Sequence, residues 1–230
     1  HGDALAALAP LMREIAASEV SAWPVGAPFA VLPRTRFITL CIAARLLLGV
    51  EGQGLVGELE RHLSSALRPY TMLAGIDGLR RLGPASPQAA ARRCRARFGR
   101  GVAEVRGARP AGLRGGQVDA LDLLRAPAGL ALDDAAVADE LFALLLAGHE
   151  TTATALAWAL ALLARDPAAA AAIADEAGGE DRPHLDAVIS EVLRVRPPLV
   201  DTVRELAEPA EVGGRRLAAG SLILIPPPLV

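Results

Sequence analysis

Apolar residues recur at helical spacing through most of the first 195 residues of the chain. Near its start, Leu5, Leu8 and Leu11 lie three residues apart, a pattern that predicts a helix ending before Trp23. Pro10 falls inside this pattern and predicts a kink or a helix start, because proline has no amide hydrogen to donate. Further helices are predicted over residues 38–48, 59–67, 88–106 and 118–124.

The longest predicted helix spans residues 133–165. Asp133 or Asp134 caps its first turn, and Asp166-Pro167 ends it and begins another short helix. The average helix has about 11–12 residues, so a helix of this length must cross the whole domain.

The last part of the chain changes from helices to short strands. A Gly178-Gly179 break precedes a helix over residues 184–195, which Pro197-Pro198 ends. Residues 211–217 have a glycine pair at their centre and predict a β-hairpin, and residues 221–225 are an apolar run of strand length. The predicted fold class is mainly α with a small β component, and the β-hairpin region covers about residues 205–226.

Composition and charge exclude several classes of protein. The 230 residues carry 24 basic and 26 acidic side chains, a net charge of −2, which argues against a nucleic-acid partner. No apolar run reaches the roughly 18–20 residues of a membrane-spanning helix, so no membrane span is predicted. Two cysteines cannot build a disulfide framework, which favours a reducing compartment and predicts a cytoplasmic protein.

The centre of the long helix contains the sequence Ala147-Gly148-His149-Glu150-Thr151-Thr152. Ala147 and Thr151 share a helix face, where the small residues at 147 and 148 let a flat, bulky group approach the backbone. The Thr151 hydroxyl can hydrogen-bond the carbonyl of residue 147 and open a polar notch. Glycine and paired threonines are unfavourable in a helix centre, and such local conflicts are typical of functional sites.

Two other interpretations apply to the same segment. In the first, His149 and Glu150 are solvated and the threonines only pack. In the second, the segment is a zinc site of the His-Glu-x-x-His type. Position 153 is alanine, so the second histidine ligand is missing and the zinc site is excluded.

Taken in order, these segments resemble the cytochrome P450 family, and most of all its soluble bacterial members. The resemblance rests on residues 147–152 of the long helix, on Glu191 and Arg194 in the next, and on Arg196-Pro197-Pro198. Arg204, Gly213-Gly214 and Gly220 then follow in the family's order. The resemblance is strong over residues 133–230 and looser over 1–124. It implies a P450-like helical fold in which residues 1–230 form a single partial domain, truncated at both ends.

The resemblance implies a haem cofactor and roles for four residues of the long helix. Ala147 and Gly148 would face the haem and the oxygen pocket. Glu150 and Thr151 would be the acid–alcohol pair that relays protons to dioxygen. The implied reaction is the oxidation of a small lipophilic substrate by dioxygen, with electrons from NAD(P)H passed through a ferredoxin or a flavoprotein.

It also implies roles for residues beyond the long helix. Glu191 and Arg194 match the family's Glu-x-x-Arg pair, a structural ion pair under the haem. Their spacing places them on one helix face, which is commonplace and usually exposed when taken alone. The family role instead leads us to expect a buried pair. Arg204 occupies the place of an arginine that binds a haem propionate.

Cysteine content bears on the iron ligand that the resemblance implies. The family's axial cysteine lies in a glycine-rich loop that this sequence lacks, so no metal ligand is predicted here and the axial cysteine is expected beyond Val230. We expect Cys41 and Cys94 to be small apolar packing residues. The competing interpretation is a non-catalytic α-helical ligand-binding or interaction protein, either a degenerate P450 or an unrelated bundle.

Overall fold

The computed structural model describes residues 2–48, 134–179 and 181–226. Between them it describes only short pieces, at 56–57, 59–60, 83–84, 86, 89, 92–93, 96 and 98–100. The helices predicted over 59–67, 88–106 and 118–124 therefore fall wholly or mostly outside the described residues, as does Cys94. The described elements confirm a fold that is mainly α with a small β component.

Among the described residues, the elements with established bounds are five helices and four short strands. The helices are α1 (Gly2–Ser21), α2 (Val31–Leu48), α3 (Asp134–Leu163), α4 (Pro167–Asp175) and α5 (Pro183–Val195). The strands are β1 (Thr202–Glu205), β2 (Ala210–Val212), β3 (Arg215–Leu217) and β4 (Leu222–Ile225). The chain divides into two compact units, His1–Glu150 and Thr151–Val230.

Helices α1 and α2 each contain a proline. Pro10 lies inside α1, which begins at Gly2, so Pro10 does not mark the helix start, and a kink there stays a prediction. Helix α2 begins at Val31, seven residues before the predicted start, and Pro33 occupies its first turn, where a missing amide hydrogen costs little. The early start escaped prediction because Arg34, Thr35 and Arg36 interrupt the apolar pattern, yet Thr35 is buried.

The core of the first unit lies between α2 and the first half of α3. Ten buried residues form one cluster: Leu40, Ala44, Leu48, Val56, Leu59, Phe98, Val137, Leu141, Phe142 and Leu145. The rings of Phe98 and Phe142 meet edge to face, with centroids 5.1 Å apart. This cluster holds one face of α3 against α2, and the same contact brings polar residues of the two helices together.

In the second unit, acidic side chains cap successive helices. Asp166 Oδ1 accepts a hydrogen bond from the Ala169 amide at 3.0 Å, which caps α4. Glu176 accepts hydrogen bonds from the amides of His184 (2.9 Å) and Leu185 (3.2 Å), which open α5. Each bond satisfies a backbone donor that the first turn of a helix leaves without a partner.

The strands form two antiparallel pairs, β1 with β4 and β2 with β3. The β2–β3 hairpin turns at Gly213 and Gly214, as predicted. Both glycines have positive φ angles (57° and 75°), which a two-residue hairpin turn of this hand requires. Strand β1 was not predicted: it begins at Thr202, before the expected β region, and pairs with β4 across the intervening hairpin.

Among the described residues, no single helix has both the length and the apolar character needed to cross a membrane. One pair of described helices meets that requirement when the two are counted together, by length and composition alone. The pair is Asp139–Leu163 and Pro167–Asp175, and the chain bends by 111° between them.

Candidate functional site

Helix α3 has an open face of small residues in its central turns. Ala147 and Gly148 are exposed, and a Cβ atom built on Gly148 would have no heavy atom within 4 Å apart from its chain neighbours and the adjacent backbone of its own helix. Leu144, one turn earlier, is 44% exposed. Leu145 and His149 point to the opposite, buried side of the same helix. The described chain therefore leaves these small residues exposed, and the approach of a flat group to this face stays a prediction.

Glu150 is held by an arginine that the motif does not contain. Arg36 Nε donates hydrogen bonds to Glu150 Oε1 at 3.1 Å and Oε2 at 3.0 Å, and Arg36 Nη2 also donates to Oε1. Both side chains are partly exposed, 39% for Arg36 and 31% for Glu150. Sequence analysis missed Arg36, because it lies 114 positions from Glu150 and belongs to no motif.

His149 is buried, so the interpretation in which it is solvated is wrong. Its side chain is 4% exposed, and Nδ1 lies 2.9 Å from Thr39 Oγ1 on α2. The Thr39 hydroxyl is also 3.1 Å from the His149 carbonyl oxygen. Two neighbouring residues of the motif thus contact α2, His149 through Thr39 and Glu150 through Arg36.

Burial lowers the pKa of His149 below its ordinary value of 6.5, because the charged ring loses its hydration. The Glu150 carboxylate acts in the opposite direction, and the Arg36 guanidinium adds to the lowering. His149 Nε2 lies 3.9 Å from Glu150 Oε2. The ring is therefore neutral at pH 7.

A buried neutral histidine predicts that the protein loses stability on acidification. Unfolding returns His149 to a pKa near 6.5, so below that pH the unfolded chain binds more protons than the folded chain. The contribution of this group is complete above pH 6.5 and declines below it, by at most about 1.4 kcal/mol per pH unit. Urea denaturation at about pH 7.5 and about pH 5.5 measures the decline. His149→Gln should reduce it, and an undiminished decline in that variant would assign it to other groups.

Thr151 and Thr152 continue α3 directly after Glu150. Thr151 is half-buried and Thr152 is exposed. Thr151 lies one helical turn after Ala147, on the face that the small residues leave open. The hydrogen bond from its hydroxyl to the residue-147 carbonyl stays a prediction.

Glu191 and Arg194 form the predicted ion pair, but the expectation that it is buried is wrong for the described chain. Arg194 Nε donates to Glu191 Oε2 at 2.7 Å, and Nη2 donates to Oε1 at 2.6 Å. The Arg194 hydrogen bonds lower the pKa of Glu191. The two side chains are 60% and 70% exposed, because Val192 is the buried residue of α5 and the pair lies off that face.

Arg204 lies on β1, opposite Ile223 of β4. Its side chain is exposed, and its Nη1 donates a hydrogen bond to the Val203 carbonyl at 2.9 Å. A cationic guanidinium in this position suits an anionic group such as a carboxylate. Its contact with a propionate stays a prediction.

Cys41 has the surroundings of a packing residue. It is half-buried against the core cluster, and burial, together with nearby Glu19 and Glu60, raises its pKa to about 11. The thiol is therefore protonated at neutral pH, whereas iron ligation needs the thiolate. Within the part of the chain that the structure describes, no group of three or more histidine, cysteine or acidic residues could hold a metal ion.

Known proteins similar to this chain carry cytochrome P450 names. This chain is 36% identical, over 98% of its length, to a Mycobacterium tuberculosis protein with the provisional name cytochrome P450 137. Over 97%, it is 34% identical to cytochrome P450 135B1 of Mycobacterium bovis, also a provisional name. The chain spans about half the length of these relatives, 48% and 50%. The structure of retinoic acid bound cyanobacterial CYP120A1 matches 96% of this chain and 52% of its own, with a TM-score of 0.73 and 23% identity, a likeness of fold.

A sequence model of one family matches the second half of the chain. The family is described as Cytochrome P450, and the match covers residues 114–230, slightly more than half of the sequence. That range contains the open face of α3, the Glu150–Thr151 pair, the Glu191–Arg194 pair and Arg204. The chain therefore belongs to the cytochrome P450 family.

Proposed function

We propose that this chain is part of a haem-thiolate monooxygenase that inserts one oxygen atom of dioxygen into a small lipophilic substrate. The observation that carries the proposal is the open face of α3, where exposed Ala147 and Gly148 stand one turn before Thr151 and beside Glu150. In a chain of this family, that arrangement supports oxygen activation at the face. The name of the CYP120A1 structure, which holds retinoic acid, supports a lipophilic class of substrate.

The residues present fit a haem at the open face of α3. A planar macrocycle needs a helix surface without bulky side chains, and Gly148 leaves room where any other residue would place a Cβ atom. Haem supplies the iron at which dioxygen is reduced. Ala147 and Gly148 would form the surface next to it, and Arg204 would pair with a propionate.

Glu150 and Thr151 would move protons at this site. Glu150 is 31% exposed, so its carboxylate can take a proton from solvent. The carboxyl group would give its proton to Thr151 Oγ1 while the Thr151 hydroxyl would donate its own proton into the oxygen pocket, so that Thr151 would end unchanged. Glu191 and Arg194 would stabilise α5 as a structural pair.

The electrons would come from NAD(P)H through a ferredoxin or a flavoprotein. We also propose a cytoplasmic location, which the low cysteine content supports. The family match excludes an unrelated bundle, and a non-catalytic member of the same family is an outcome that activity measurements distinguish.

The expectation that this chain supplies no iron ligand can be tested by spectroscopy. The 230-residue chain, given haem, reduced and exposed to carbon monoxide, is expected to lack the red-shifted Soret band of a thiolate-ligated haem. The physical reason is that Cys41 is protonated, with its pKa raised to about 11. The haem-loaded protein that contains this chain together with an axial cysteine should show the band. A band from the chain alone that disappears in Cys94→Ala would overturn the assignment.

A further inference from the structure

We propose that Arg36 is a positioning residue that keeps the nearby Glu150 carboxylate from pairing with a protonated His149 and so keeps it available for proton relay. The proposal rests on the proposed function, because it assigns to Arg36 of α2 the positioning of Glu150, the proposed proton-relay group on α3. Three observations support it: the hydrogen bonds of the Thr39 hydroxyl, the distance between His149 and Glu150, and the hydrogen bonds of Arg36.

Thr39 determines which nitrogen of His149 carries the proton. Its hydroxyl lies 3.1 Å from the carbonyl oxygens of Thr35, Arg36 and His149, and 2.9 Å from His149 Nδ1. A hydroxyl has one proton to donate and carbonyl oxygens have none, so we assign the ring Nδ1–H as the donor to Oγ1. In that tautomer, Nε2 carries a lone pair.

The His149 Nε2 atom lies near an oxygen of Glu150. Nε2 and Oε2 are 3.9 Å apart, and both are hydrogen-bond acceptors while the ring is neutral. One proton added at Nε2 would change this repulsion into an attraction between an imidazolium and a carboxylate. Such a pair would hold Glu150 against a buried ring and remove it from solvent.

Arg36 opposes that capture in two ways. Its three hydrogen bonds hold both oxygens of the Glu150 carboxylate. Its positive charge also acts on the ring, where it lowers the pKa of His149 together with burial. The charged groups that act on the ring are Glu150 on α3 and Arg36 on α2. Removing the guanidinium removes both obstacles.

Arg34 provides a matched control on the same helix. It is 40% exposed, close to the 39% of Arg36, and it forms an ion pair with Glu19 at 3.1 Å. Arg34→Gln and Arg36→Gln therefore each remove one arginine of α2 with similar exposure. Only Arg36→Gln removes the hydrogen bonds that Glu150 accepts from Arg36.

The first measurement is the pH titration of His149. It uses NMR of labelled histidine in the haem-loaded protein that contains this chain, and the haem is kept in its diamagnetic carbon monoxide complex. The pH midpoint of His149 should rise in Arg36→Gln, whereas in Arg34→Gln it should stay at the wild-type value. An unchanged midpoint in Arg36→Gln would overturn the proposal, because the guanidinium would then have no influence on the ring.

The second measurement is the product formed per NAD(P)H consumed. Arg36→Gln should lower this ratio by about tenfold, a partial loss of a proton-transfer group, while Arg34→Gln should leave it unchanged. The double variant Arg36→Gln/His149→Gln should restore most of the loss, because the capturing ring is gone. Arg36→Lys keeps the charge and should give an intermediate ratio.

The outcomes separate this proposal from the proposed function. If Arg36→Gln lowers the ratio and His149→Gln does not restore it, capture by His149 is wrong while the relay stands. If Arg36→Gln behaves as Arg34→Gln while Glu150→Gln and Thr151→Ala lower the ratio, the positioning role is wrong. If Glu150→Gln itself leaves the ratio unchanged, the relay is wrong and this proposal fails with it.

Discussion

Thr151→Ala is expected to divert electrons from product to hydrogen peroxide in the haem-loaded protein that contains this chain. The proton-transfer step should slow by about 10²–10⁴-fold, since a positioned acid–base group contributes that much. The reason is the place of the hydroxyl, one helical turn from Ala147 and directly after Glu150 in α3. When the relay does not supply the proton that cleavage of the oxygen–oxygen bond needs, dioxygen would leave with two electrons and two protons from solvent as hydrogen peroxide. The measurement is product and peroxide formed per NAD(P)H consumed.

Thr152→Ala is the matched control, because Thr152 is the same residue type at the next position of α3 and is exposed. It should leave the ratio of product to NAD(P)H near the wild-type value, and so should Thr151→Ser, which keeps the hydroxyl. A wild-type ratio in Thr151→Ala would mean that Thr151 is only a packing residue.

Leu141→Ala is expected to lower the free energy of unfolding by about 2–5 kcal/mol. Leu141 is fully buried in the cluster that joins α2 to α3, so truncation loses apolar burial and leaves a cavity. Urea denaturation monitored by circular dichroism gives the difference. The same loss should loosen the contact that brings Arg36 to Glu150, because both lie on the helices that this cluster joins.

Leu144→Ala is the control for that variant. Leu144 is on the open face of the same helix and is 44% exposed, so the lost burial is smaller and no closed cavity results. Its effect on the free energy of unfolding should stay below about 1 kcal/mol. Equal losses in the two variants would contradict the assignment of the buried and open faces of α3.

Elements whose signals lie within a few residues were predicted well. Helix α3 was expected over 133–165 and spans Asp134–Leu163, since an aspartate can cap its start and Asp166-Pro167 ends it. The β2–β3 hairpin follows from Gly213 and Gly214, which adopt the positive φ angles that its turn requires. Caps, prolines and glycines act on the backbone next to them, so sequence alone contains this information.

Elements that depend on distant partners were predicted less well. The start of α2 was missed because Arg34, Thr35 and Arg36 interrupt the apolar pattern. Thr35 is nevertheless buried, and Arg36 pairs with Glu150, 114 positions away. Strand β1 was missed because its four residues carry little apolar signal, and its pairing with β4 defines it. In both cases the sequence does not show which distant segment packs against or pairs with the element.

The candidate site shows the same division. The sequence by itself determined that residues 147–152 form the centre of a long helix with a small-residue face, and that Glu191 and Arg194 pair, because helical spacing is a local property. Only the tertiary structure decided that Glu150 binds Arg36, 114 positions away, and that His149 is buried against Thr39, 110 positions away. It also decided that the Glu191–Arg194 pair is exposed in the described chain. Burial and ion pairing depend on which helix packs against a residue, and helix packing is decided by the apolar cluster between α2 and α3 rather than by the motif.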